Sequence, residues 1–123
     1  MDIREFKKSL FDDLKVMPDW VDGKSSIYYI VWNDTMSLIN TEILKLITPT
    51  ILTELTITRI VKNINCYIDM VDEICTREIR MNILSFYSSL FIYIKDRSLE
   101  EEMFEVAANI TKFTNIYYNI TGI

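Results

Sequence analysis

The sequence predicts an all-α fold in a single domain, and three observations carry that expectation. The chain has 123 residues, half of them apolar, enough to bury roughly two-thirds of its unfolded surface without a disulfide or metal. It holds only two glycines and two prolines, fewer than the turns of a β architecture normally need. Apolar residues recur at spacings of three and four along most of its length, the period of helices with one buried face.

Residues 2–16 carry Ile3, Phe6, Leu10 and Leu14 on one stripe, with Phe11 beside it, so an amphipathic helix is expected there. "MPDWVDGKSS", residues 17–26, breaks the period with Pro18 and Gly23. Trp20 and Val21 are expected to pin this loop to the body. Ser25 or Ser26 then supplies a hydroxyl that can accept from the first free amides of the next helix. That helix reads "SSIYYIVWNDTMSLINTEILKL", residues 25–46. Its residue types also suit a strand, but helical spacing continues past Asn33 through Leu38 and Ile39. Tyr28 and Trp32 lie four apart on a neighbouring stripe, placed to reach a partner. Thr41–Ile47 extends this helix or begins a short one.

Thr48-Pro49 matches a cap residue followed by a first-turn proline, so the next helix is expected from there, with Leu52, Leu55, Ile60, Ile64 and Ile68 along it. Residues 75–96 form the clearest core element. Thr76 can cap it, and Ile79, Ile83, Phe86, Leu90 and Ile94 follow the helical period. Leu84, Tyr87, Phe91 and Ile92 add apolar surface around much of the circumference. A helix apolar nearly all round is expected at the centre of a domain. Ser85, Ser88 and Ser89 would let another helix approach closely. "DRS", residues 96–98, reads as a turn and "SLEE" as a capping box between Ser98 and Glu101. Leu99, Met103, Val106, Ile110, Phe113, Tyr117 and Ile120 mark the last helix.

Charge and composition narrow the function. The net charge is −5, and the 13 basic residues are scattered, whereas nucleic-acid binding needs a clustered basic face. The longest apolar run, "LFIYI" at 90–94, is far below the roughly 20 residues of a membrane span. The N-terminus has no apolar signal core, so the sequons at Asn33, Asn109 and Asn119 read as chance matches. There is no histidine, which removes Ser-His-Asp and Cys-His chemistry. Gly23 and Gly122 are too far apart to make a phosphate loop. Cys66 and Cys75, without further ligands, do not make a zinc site and are expected as buried or half-buried thiols. The acid clusters at Asp12–Asp13, Asp69–Glu73 and Glu100–Glu102 read as solvated helix ends. A non-enzymatic protein with no metal and no cofactor is expected.

Residues 25–120 resemble, in helix order, length and a few residue types, the Bcl-2 fold. The closer likeness is to the poxviral Bcl-2-like immunomodulators of the vaccinia type. "IYYIVWND", residues 27–34, resembles the apolar-aromatic stretch of their first long helix. "ILTELTITRIVKNI", residues 51–64, resembles their second and third helices. "TREIRMNILSFYSSLFIYI", residues 76–94, resembles their central fifth helix, and residues 98–118 resemble the sixth. Residues 1–24 would be an N-terminal extension and loop. Cellular Bcl-2 proteins carry Asn-Trp-Gly-Arg before the central helix; this chain has "ICTREI", residues 74–79, where Arg77 alone matches.

The resemblance implies a single-domain Bcl-2-like bundle with a central apolar helix. It implies a viral virulence factor in the host cell cytoplasm that binds host signalling proteins and suppresses innate NF-κB signalling. It also implies a homodimer built from the first and sixth helices. Tyr28, Trp32, Arg77, Tyr117 and Tyr118 are the protein-binding candidates. An alternative is an anti-apoptotic groove, lined by residues 51–68 and the central helix, that sequesters BH3 helices, with Arg77 as the ion-pair residue. A third reading is a helical structural or assembly protein.

Overall fold

The computed structural model describes residues 2–14, 21, 26–74 and 76–121. Among them are five α-helices and no strand: α1 (Ile3–Leu14), α2 (Ser26–Thr41), α3 (Glu54–Ile74), α4 (Arg77–Glu100) and α5 (Phe104–Thr121). A short 3-10 turn, Ile43–Leu46, follows α2. The helical reading of residues 26–41 holds over the strand alternative, because Val31, Thr35 and Ile39 fall at four-residue intervals on the buried side.

The start of α1 is fixed by Asp2, whose carboxylate accepts from the Glu5 amide at 2.8 Å. Phe6 and Leu10 are fully buried, so the N-terminal segment contributes to the core. Val21 is buried too; Trp20, Ser25 and Cys75 lie outside the described residues.

α3 begins later than the sequence suggested. Residues 48–53 run outside any helix, and Thr53 is the cap, its hydroxyl accepting from the Thr56 amide at 3.2 Å. The residues that resembled two successive helices are a loop and the first half of one 21-residue helix. Ile57, Ile60, Val61, Ile64, Ile68 and Val71 form its buried stripe, while Leu55 faces solvent.

Thr76 caps α4 as expected, accepting from the Ile79 amide at 3.4 Å. The turn predicted at residues 96–98 is absent. α4 runs on to Glu100, and Ser98 is buried inside it, donating to the Ile94 carbonyl at 2.6 Å. The chain reverses three residues later. Met103 N donates to Ser98 O at 2.8 Å and Glu102 N to Leu99 O at 3.1 Å, the paired bonds of a Schellman ending. Glu102 sits at the left-handed position with φ of 57°, where glycine would carry no Cβ clash. Met103 folds into the core behind it.

α3, α4 and α5 pack closely on one another, and α5 also meets the 3-10 turn. At their centre lies Phe91. Its ring is edge-on to Phe113 at 4.9 Å and Tyr117 at 5.1 Å, and stacks on Tyr87 at 5.9 Å. Each such pair adds about 0.5–1.5 kcal/mol beyond burial. Asn109 of α5, fully buried, ties the 46–53 loop to this trio. Its Oδ1 accepts from Leu52 N at 2.8 Å, and its Nδ2 donates to Leu46 O at 3.2 Å and Thr50 O at 2.9 Å.

Candidate functional site

The residues singled out from sequence do not form one surface. Trp32 is only 4% exposed and packs edge-on against Phe86 at 5.1 Å. The expectation that its stripe reaches a partner places it wrongly: α2 turns this face toward α4. Tyr28, one turn earlier, is half-buried against the core. Arg77 is exposed on the first turn of α4. Tyr117 is fully buried between Phe91 and Phe113, whereas Tyr118 is half-buried and meets the Tyr117 ring at 5.6 Å. Of the five, Tyr118 alone lines a groove among those described below. Cys66, expected to be at least half-buried, is exposed on α3.

Two open grooves flank α5. The first, about 250 Å³, lies between α4 and α5 and is lined by Phe91, Ile92, Lys95, Thr111, Thr114, Asn115 and Tyr118. The second, about 200 Å³, lies toward the start of α3, with Glu54, Lys112, Asn115 and Ile116 around it. Asn115 is the ridge they share. The Thr111 and Thr114 hydroxyls are engaged with the carbonyls of Ala107 at 2.9 Å and Ile110 at 2.8 Å. What the first groove offers is therefore an apolar floor of Phe91, Ile92 and Tyr118 with one ammonium at the rim. Such a lining suits an apolar side chain with an acid beside it.

The groove opens onto a bare face of α4. Met81, Ser85, Ser89, Ile92, Asp96 and Leu99 fall on successive turns and are all exposed, with Met81 at 52% and Ile92 at 61%. Sequence predicted a helix covered nearly all round; the structure covers most of α4 and leaves this stripe open. On its far side α1 is fastened by a polar cluster. Asp13 accepts from the Tyr93 hydroxyl, Arg97 Nη1 donates to Asp13 at 3.3 Å, and the same nitrogen donates to Tyr93 at 3.1 Å. Partial burial, then the adjoining Asp13, raise the Tyr93 phenol above its ordinary pKa.

Two hydroxyls inside the trio are unsatisfied. The Tyr87 and Tyr117 oxygens are buried without a hydrogen-bond partner. Thr35 lies beside Tyr87 but donates to the Val31 carbonyl at 2.8 Å, and its hydroxyl is outside bonding geometry to the phenol. Burial is the main cause that pushes both phenols well above the ordinary tyrosine value. Beside Tyr117, Arg80 pairs with Asp72 at 3.4 Å and joins α3 to α4.

No helix among the described residues is long and apolar enough to cross a membrane. No protein-family model, curated protein or solved structure matches the chain. Lys95, Lys112 and Asn115 were not singled out in the sequence, and Ile92 only as apolar surface of the 75–96 helix. The legible signal was the charge of Lys95 and Lys112 on otherwise apolar-periodic helices. Placing each at its own groove needed the fold.

Proposed function

We propose that this chain is a non-enzymatic viral protein of the poxviral Bcl-2-like type. It acts in the host cell cytoplasm, where it also forms a homodimer, and suppresses innate NF-κB signalling by occupying surfaces of host signalling proteins. The observation that carries the binding role is the apolar-floored groove between α4 and α5, continuous with exposed Met81 and Ile92 on α4. Apolar grooves and exposed aliphatic faces are surfaces on which helical partners dock. The Bcl-2-like reading draws on the resemblance of residues 76–94 to a central fifth helix; residues 51–64, a loop and part of one helix, do not add to it. In that reading α4 is the helix around which the others are arranged.

The test is an NF-κB reporter in stimulated cells expressing the chain. A several-fold reduction supports the proposal, and undiminished signalling overturns it. BH3 sequestration is the second reading, favoured by the exposure of Arg77 on the first turn of α4. Titration against labelled BH3 peptides decides it. Sub-micromolar binding that weakens in Arg77→Ala moves apoptosis inhibition to first place, and no binding by folded protein removes it.

A further inference from the structure

Part of the exposed face of α4, from Arg77 to Asp96, complements itself when read backward, with exposed Ser89 and Leu99 outside the pairing. From the N-terminal end it presents Arg77 and Glu78, then Met81, Ser85, Ser88, Ile92, and finally Lys95 and Asp96. All are exposed except half-buried Ser88. We propose that α4 docks antiparallel on α4 of a second copy of this chain, about a two-fold axis between Ser85 and Ser88. The proposal rests on the homodimer reading above and names its face, which differs from the first-and-sixth-helix faces that the resemblance implies; because it fills the groove on which a host partner would dock, self-association and host binding compete for this face.

Three features fit that occupant together. The first is charge. Antiparallel pairing about this axis sets Arg77 against the partner's Asp96 and Glu78 against the partner's Lys95. Each end of the contact then holds two cations and two acids, so the charges balance on a chain whose net charge is −5. The second is shape. Met81 falls opposite the partner's Ile92, on the flank where the α4–α5 groove opens beside Ile92 and Lys95. A methionine is unbranched and flexible, suited to filling an irregular groove. A groove of about 250 Å³ is larger than one such side chain. The two-fold repeats the insertion, as an isologous interface requires. The third is approach. Ser85 meets the partner's Ser88 at the axis, and small side chains there let two helices come near the short end of the usual 8–10 Å packing range. The charge pairs are independent of the serines and set the register, and the groove lies within reach of Met81 in that register.

The experiment is sedimentation equilibrium of the full chain from roughly 1 to 200 µM, the span over which a single-helix contact would show. The expected result is a mass rising from 14.6 kDa toward twice that value. Met81→Glu and Ile92→Glu, both at exposed positions, should hold the mass at the monomer while circular dichroism stays unchanged. Glu78→Lys should weaken association about ten-fold, since it opposes three cations to one acid at each end. Adding Lys95→Glu in the same chain should restore it. Lys112→Glu, at the other groove, should leave the mass unchanged. A monomer at every concentration overturns both this interface and the homodimer reading. A dimer indifferent to Met81→Glu and Ile92→Glu overturns the interface alone.

Discussion

The α3–α4–α5 trio and the α1–α2 segment are built differently. The three helices of the trio pack closely on one another, with the Phe91 ring of α4 edge-on to the stacked Phe113 and Tyr117 of α5. α2 comes closest to the 3-10 turn that follows it, and α1 reaches the body through Phe6, Leu10 and the Asp13–Tyr93–Arg97 cluster. Each region nevertheless holds apolar side chains with almost no exposure, Phe6 and Leu10 in one and Phe91 and Phe113 in the other. Burial fraction therefore does not measure how firmly an element is held. The number of neighbours that must move together does, and it separates local opening from global unfolding.

The largest expected effect tests that difference directly. Phe91→Ala should cost about 3–5 kcal/mol of global stability, the range for a buried phenylalanine with surrounding rings. Phe6 is equally buried, yet Phe6→Ala should cost only about half as much. Its loss is capped by the free energy with which α1 docks, after which α1 opens alone. Denaturant unfolding with native-state hydrogen exchange reads both. Equal losses, with α1 amides exchanging only through global unfolding, would erase the distinction.

Asn109 comes next. Asn109→Ala strips partners from Leu52 N, Leu46 O and Thr50 O. A buried group left unsatisfied costs about 1–3 kcal/mol, and the partly exposed ones recover water bonds. The net loss should be about 2–4 kcal/mol, with faster exchange confined to residues 46–53. A loss below about 1 kcal/mol would mean that the loop is held by Leu46 and Ile47 burial alone.

The smallest effect per step is alkaline. Tyr87 and Tyr117 are held protonated in the fold, above the unfolded value of about 10. Above that pH the unfolded chain loses protons that the folded chain keeps, so stability is full below about pH 10 and falls as pH rises. The slope is about 1.4 kcal/mol per pH unit for each tyrosine. Because neither hydroxyl has a partner, Tyr87→Phe with Tyr117→Phe should change stability little at pH 7 and flatten the alkaline limb. Thermal melts between pH 7 and 11.5 measure it, and a double variant as alkali-sensitive as the parent would place the sensitivity outside the trio.

Glycine scarcity and the three-four period were sufficient for the helical class, because both act through local backbone geometry. Thr76 was legible as a cap for the same reason: its hydroxyl bonds an amide three residues on. The end of α4 was not. Ser98 looked like a cap, but the helix continues because Met103 and Ser98 are both drawn into the core, and a left-handed Glu102 makes the reversal instead. The start of α3 was misplaced for a similar reason, since Asn109, 57 positions away from Leu52, holds the loop open.

What the sequence by itself determined was the helical class, the stripes of α1, α4 and α5, and the cap of α4. These depend on neighbours within four residues. What only the tertiary structure decided was that Trp32 and Tyr117 turn inward, that Tyr118, Ile92 and Lys95 meet at one groove, and that one stripe of α4 stays bare. Those outcomes depend on which helix covers which face, a competition among apolar surfaces that local periodicity does not encode.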